Sequence, residues 1–214
     1  MGFTPFIIIA IDNVMIIAMN AVLQTYGKGG EGDMLITCAT IVQSFMLVVT
    51  MPLSGITGGT QTILAYNYGA GQTKRVLTAQ RYIILLCVAY MGLMFIVARV
   101  GGSLFVRLFT SSPQLAEKAV WAIRICTMAL IPLGVQYEIV DGFTALGCVK
   151  FALSLSFIRK LAYFVPLFLL PAFFGAESVF FAETISDLLG PLTSVVIYCM
   201  FIRKIMSRRE AALN

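Results

Sequence analysis

Residues 51–75 read MPLSGITGGTQTILAYNYGAGQTKR, an apolar stretch that contains one proline and five glycines. In a water-soluble helix each internal glycine costs roughly 1 kcal/mol and a proline about 3 kcal/mol. A helix in a membrane tolerates them better, because neighbouring helices and water satisfy the backbone groups that they free. The stretch therefore indicates a membrane helix, and it ends at Lys74 and Arg75, where a loop is expected.

The composition of the whole chain supports this interpretation. The 214 residues are 59% hydrophobic and 12% charged, with a mean hydropathy of +0.93. Soluble domains carry about 25% charged residues, so this chain lacks the polar surface that a soluble globule needs. It is predicted to be an all-α integral membrane protein with the lipid bilayer as its main partner. Its net charge of +5 is scattered between apolar runs, which argues against nucleic acid as a partner.

Cysteine and histidine usage bears on metal sites and catalysis. The five cysteines form no CxxC pair, and histidine is absent. We therefore expect no metal site, no disulfide frame and no imidazole-based proton relay. The sequence also shows no nucleotide-binding loop and no nucleophile–base pair, so we predict that the protein is not an enzyme and needs no cofactor.

Six apolar runs are each long enough to cross a bilayer, which takes about 20 residues. They predict a single bundle of six transmembrane helices over residues 6–26, 34–68, 77–99, 119–146, 151–174 and 178–205. Proline removes a backbone donor from a helix, so we expect bends near Pro52 in the second span and near Pro132 in the fourth.

An even number of spans places both termini on one side of the membrane. If that side is the cytoplasm, the inner loops and ends hold eight basic residues and the outer ones five. This excess follows the positive-inside rule. We therefore predict a multi-pass protein of the plasma (inner) membrane with both termini cytoplasmic.

Burying an ionisable side chain inside a membrane span costs free energy, so each such residue is taken as a functional candidate. Asp12 lies near the middle of the first span, and Asp187 lies deep in the sixth. Glu138 and Asp141 are three residues apart and share one helix face. Across the hairpin turn at residues 147–150, Arg159 and Lys160 lie at similar depth. These positions predict a buried ion pair between Arg159 or Lys160 and Glu138 or Asp141. The pair could serve the structure or the transport of substrate, and the sequence leaves both roles open.

Three segments resemble the multidrug and toxic compound extrusion (MATE) family. GITGGTQTILAYNYGAGQTKRV (55–76) resembles the second helix of a bundle and the basic loop after it. MALIPLGVQYEIVDGFTALGCVKFALSLSFIRKL (128–161) resembles the fourth helix, the turn and the fifth helix, and FGAESVFFAETISDLLG (174–190) resembles the last helix. The resemblance covers nearly the whole chain, and it is carried by the order and spacing of loose small-residue motifs.

The resemblance implies a secondary transporter that exports organic cations and drugs in exchange for Na⁺ or H⁺. Family members have about twelve helices in two bundles, and this chain is similar to the C-terminal one. Its partner would then be an N-terminal six-helix bundle or a second copy of the chain.

The substrate and ion site is predicted in an open-sided cavity inside the bundle. Its acidic groups attract cations, the amide can donate to a ligand, and an aromatic ring can add a cation–π face. The candidate residues are Asp12, Gln43, Tyr137, Glu138, Asp141 and Asp187. Two alternatives remain open: a lipid-linked oligosaccharide flippase of the same superfamily, which should carry basic residues deep in the cavity, and a membrane scaffold that does not transport.

Overall fold

The computed structural model describes residues 3–27 and 30–211, with the backbone alone for residues 3–9 and 12. Every regular element within these ranges is a helix. The helices are α1 (Phe3–Tyr26), α2 (Glu31–Gly69), α3 (Thr73–Arg107), α4 (Pro113–Cys126), α5 (Leu130–Ala145), α6 (Val149–Phe174) and α7 (Phe180–Ala211), with a 3₁₀ turn at Ala176–Val179 before α7.

The number of membrane spans can be compared with the six predicted. Four of the described helices, α2, α3, α6 and α7 with its preceding turn, are long and apolar enough to cross a bilayer, and α4 with α5 makes a fifth if the bent pair is one span. The remaining predicted span falls on α1, a helix of 24 residues whose first side chains lie outside the described residues. The all-helical membrane fold is therefore confirmed, and the count of six stays a prediction.

The fourth predicted span, residues 119–146, is two helices and not one. α4 and α5 meet at 51° across a break at residues 127–129. Pro132, in the first turn of α5, has no amide hydrogen to donate to the carbonyl of residue 128, so a continuous helix would lose a hydrogen bond there. The predicted bend is confirmed just ahead of this proline. α2 continues through Pro52 as one helix of 39 residues, and the bend expected near this proline stays a prediction.

Glycine makes the tight turns that join these helices. Gly71 and Gly147 both have φ = +71°, a left-handed conformation that residues with a Cβ rarely adopt. Gly71 reverses the chain between α2 and α3, and Gly147 reverses it between α5 and α6. The second turn sets α5 and α6 antiparallel, as the hairpin prediction requires.

Helix α5 lies at the centre of the bundle, where it contacts α2, α3, α6 and α7. The contact with α3 is close, because a Cβ on Gly134 would lie only 2.8 Å from Met91 Cγ and 3.3 Å from the Cys87 carbonyl oxygen. Small residues allow such approach between membrane helices. One face of α3 carries exposed aliphatic side chains, among them Leu93, Ile96 and Leu104. That face is suited to contact lipid, so α5 is held inside while α3 lies at the periphery.

Candidate functional site

Two clefts with polar side chains in their walls run along α5 and α6. The first, here the Gln43 cleft, has a volume of about 280 Å³ and is lined from α1, α2, α5, α6 and α7. The second, the Asp141 cleft, has a volume of about 390 Å³ and is lined from α2, α5 and α6. Tyr137, Arg159 and Lys160 line both. These three side chains therefore form the wall that the two clefts share.

Arg159 forms a buried ion pair, but not with the predicted partner. Its Nη1 lies 2.9 Å from Oδ1 of Asp187 on α7, and Asp187 is fully buried. The Ser186 hydroxyl donates to the same Oδ1 at 3.4 Å, and the guanidinium carbon lies 5.9 Å from the Tyr137 ring centroid. The predicted pairing of Arg159 with Glu138 or Asp141 is thus wrong. α6 packs extensively against α7 as well as α5, and Arg159 faces α7.

Gly190 on α7 makes room for this arrangement. A Cβ at this position would lie 2.5 Å from Gln136 Oε1 and 2.9 Å from Arg159 Cγ. The glycine lets the side chains of two other helices lie directly against the α7 backbone. It therefore contributes to holding the Arg159 stem next to Asp187.

Glu138, predicted to line the cavity, lies outside both clefts. Its side chain is fully buried, and neither carboxyl oxygen has a hydrogen-bond partner within the described residues. It lies beside Gly142 on the α3 side of α5, where Gln80 accepts a hydrogen bond of 3.0 Å from the Tyr198 hydroxyl. The prediction that Glu138 lines the cavity is therefore wrong, and its side chain lies between α3, α5 and α7.

This position predicts a small stability effect for Glu138→Gln. The carboxyl group makes no hydrogen bond that the amide would lose, and a buried carboxylate without a partner is itself costly. We expect the free energy of unfolding to change by no more than about 1 kcal/mol, measured by reversible unfolding in mixed micelles. Asp187→Asn is the matched comparison, since it also neutralises a fully buried acid but removes half of an ion pair. A loss of more than about 3 kcal/mol for Glu138→Gln would contradict this placement.

Asp141, three residues after Glu138 on α5, lines the Asp141 cleft. Its carboxylate is half-buried and lies near the side chains of Thr57 and Gln61 on α2. No ion pair joins Asp141 to a basic side chain in the part of the chain that the structure describes. Tyr137, one helical turn earlier, lines the same cleft. The Asp141 cleft thus presents a carboxylate, a hydroxyl, an amide and an aromatic ring to one space.

The other predicted residues fall in different places. Gln43 lines the Gln43 cleft. Asp187 lies behind Arg159 and lines neither cleft, and the side chain of Asp12 lies outside the described residues. Glu183, which lines the Gln43 cleft, is absent from the predicted site. Its position four residues before Asp187 places it on the same helix face, and that spacing is the signal that could have found it.

The two clefts combine acidic and basic side chains. Each cleft contains one carboxylate, Glu183 or Asp141, together with Arg159 and Lys160, neutral oxygen donors and aromatic rings. Across the described residues, no three acidic, cysteine or histidine side chains converge on a metal site. Such clefts can hold a monovalent ion or an organic cation, whereas a dedicated site for Zn²⁺ would need more converging ligands.

Comparison with known proteins places the chain among membrane transporters. Residues 7–169 match the MatE family. The chain is 23% identical over 188 residues to the multidrug export protein MepA of Staphylococcus haemolyticus, which covers 87% of this chain and 40% of that protein. The chain therefore spans well under half of the length of this curated relative.

Two solved structures show the same fold. An outward-facing multidrug resistance MATE family transporter of the MOP superfamily superposes with a TM-score of 0.87 at 16% identity, covering 96% of this chain and 46% of that one. A MOP superfamily transporter from Pyrococcus furiosus, whose binding pocket is described as reversed in polarity, superposes with a TM-score of 0.85 at 17% identity, covering 95% of this chain and 46% of that one.

Proposed function

Because the chain belongs to the MatE family of multidrug transporters, we propose that it forms one bundle of an antiporter that exports organic cations in exchange for Na⁺ or H⁺. The family consists of transporters and not enzymes, and it acts in the cell membrane. The chain covers less than half of its relatives, so the second wall of the transport path belongs to another bundle. That bundle is an N-terminal MatE bundle or a second copy of this chain.

The Asp141 cleft is the observation that carries this proposal. Asp141 lies near the neutral side chains of Thr57 and Gln61, and it forms no ion pair within the described residues. A carboxylate in a partly dry cleft attracts a cation more strongly than one in water, because the surroundings screen the charge less. Na⁺ or H⁺ can occupy the carboxylate in one half of the cycle, and the substrate cation can occupy it in the other.

Competition for one carboxylate is sufficient to couple export of the substrate to entry of Na⁺ or H⁺. If the coupling ion and the substrate both need Asp141, each lowers the affinity for the other, and this linkage is reciprocal. Tyr137 contributes an aromatic face to the same cleft, which favours organic cations through cation–π attraction. Glu183 and Gln43 provide a second position in the neighbouring cleft. Asp12 stays a candidate on the first helix.

The remaining charged pair serves the scaffold in this proposal. Arg159 and Asp187 neutralise each other, so neither offers a net charge to a substrate.

We place both termini in the cytoplasm, because the end of the bundle that holds the C-terminus is the more basic one.

The proposal is tested by efflux of a fluorescent organic cation from proteoliposomes with an imposed Na⁺ or H⁺ gradient. The chain alone can transport only if two copies pair, whereas co-reconstitution with an N-terminal MatE bundle tests the other arrangement. We expect gradient-driven efflux in one of the two preparations. Absence of cation efflux in both, under both gradients, would contradict the proposal.

A flippase for lipid-linked oligosaccharide is the second candidate, and one observation favours it. Lys160 is a buried basic residue that lines both clefts, and a cation at that depth suits a phosphate-bearing substrate. The same proteoliposomes distinguish the two functions. Movement of a fluorescent pyrophosphate-linked lipid between leaflets, without efflux of the organic cation, would favour the flippase.

A further inference from the structure

A separate cleft lies at the end of the bundle where α2 turns into α3, away from the two clefts described above. This α2–α3 cleft has a volume of about 480 Å³ and is lined by Asn67, Lys74, Arg75, Thr78, Ala79 and Tyr82. Both basic side chains are exposed, and neither forms an ion pair within residues 3–27 and 30–211. No acidic residue occurs anywhere in the α3 sequence, 73–107. The cleft is therefore cationic and offers hydrogen-bond donors.

The side chains along this part of α3 change from basic to apolar, as at the surface of a membrane. Lys74 and Tyr82 are eight residues apart on α3, which is roughly 12 Å along the helix axis. Tyr82 is 68% exposed and is followed by the exposed Leu85 and Leu86. A tyrosine between basic residues and lipid-facing aliphatic residues is typical of the membrane interface. The cationic cleft is thus followed along α3 by exposed aliphatic side chains.

The C-terminal part of α7 holds the turn beneath this cleft in one conformation. Arg209 donates to the carbonyl oxygens of Tyr68 at 3.1 Å and Gly69 at 2.6 Å. Glu210, the acidic group in contact with this turn, accepts a hydrogen bond from the Thr73 hydroxyl. Its carboxylate is therefore engaged with Thr73, and it does not line the cleft. The two cations remain available on a turn that is already fixed.

We propose that the α2–α3 cleft binds the head group of an anionic phospholipid. Lys74 and Arg75 contact the phosphate, Thr78 and Tyr82 donate from their hydroxyls, and the acyl chains lie along Leu85 and Leu86. Basic pockets between membrane helices are suited to anionic head groups through charge and hydrogen bonding. This inference concerns a lipid-facing surface, so it holds whichever substrate the bundle transports.

The test is lipid binding to the detergent-purified chain, measured by native mass spectrometry with phosphatidylglycerol or zwitterionic phosphatidylcholine. We expect the chain to prefer phosphatidylglycerol. Lys74→Gln with Arg75→Gln should weaken phosphatidylglycerol binding by about 25-fold, from roughly a five-fold contribution of each basic side chain. The charge-preserving pair Lys74→Arg and Arg75→Lys should retain most of the affinity, which shows that the effect comes from charge in the cleft.

The matched control is Arg203→Gln with Lys204→Gln, two exposed cations on α7 that do not line the cleft. It makes the same change in net charge and should reduce binding less than about three-fold. An equal loss in both double variants would show attraction by net charge only and would overturn the proposal. It would also be overturned if phosphatidylcholine bound equally well, if the charge-preserving pair lost binding, or if millimolar inorganic phosphate displaced the lipid and so identified a site for soluble anions.

Discussion

Replacement of Arg159 by glutamine is expected to lower the free energy of unfolding by about 3–5 kcal/mol. The variant leaves Asp187 fully buried with the Ser186 hydroxyl, at 3.4 Å, as its one remaining hydrogen-bond donor among the described residues. An uncompensated carboxylate at that depth is costly because low-dielectric surroundings replace its water. The Arg159 side chain is 21% exposed, which places the expected loss toward the lower end of this range. The measurement is reversible unfolding in mixed micelles.

Two controls separate the buried pair from general charge effects. Lys118 and Glu177 also form an ion pair, at 2.8 Å, but their side chains are 31% and 52% exposed. Lys118→Gln should therefore cost no more than about 1 kcal/mol. The double variant Arg159→Gln with Asp187→Asn removes both charges and should be more stable than Arg159→Gln alone. A loss for Arg159→Gln as small as that for Lys118→Gln would show that the buried pair contributes nothing specific.

Neutralising Asp141 should have the largest effect on transport. Asp141→Asn keeps the size of the side chain and leaves it next to Thr57 and Gln61, but it removes the charge that we propose the ion and substrate share. We expect gradient-driven cation efflux to fall by about 5- to 150-fold, the range that a coupling free energy of 1–3 kcal/mol produces. The measurement is the initial rate of efflux from proteoliposomes at a fixed gradient.

The matched control for this variant lies on the same helix. Glu138→Gln makes the same chemical change three residues earlier, at a carboxyl group that lines neither cleft. It should retain efflux within about two-fold, since it changes no group that contacts the transport path. If Asp141→Asn kept both wild-type efflux and its dependence on the gradient, the carboxylate would be structural. Equal losses in the two variants would mean that the site extends to the α3 side of α5.

Local chemistry in the sequence was sufficient to predict the helical membrane fold and the family. Continuous apolar runs determine that a segment is a membrane helix, because every buried backbone group must be bonded within it. The predicted spans leave residues 27–33, 69–76 and 147–150 as connections, and the structure places Gly30, Gly71 and Gly147 there with positive φ. Pro132 likewise indicated a bend between α4 and α5, which the structure places at residues 127–129.

The pairing of charged side chains was decided by tertiary structure alone. Helical periodicity sets the angle between two residues of one helix, about 60° for residues three apart such as Glu138 and Asp141. It does not set the rotation of that helix against its neighbours, and a helix that is apolar all round carries little pattern from which to infer it. Packing of α5 against both α2 and α3 places Asp141 in a cleft and Glu138 in the interior. Packing of α6 against α7 likewise assigns Arg159 to Asp187, a residue that equal depth in the α5–α6 hairpin could not indicate.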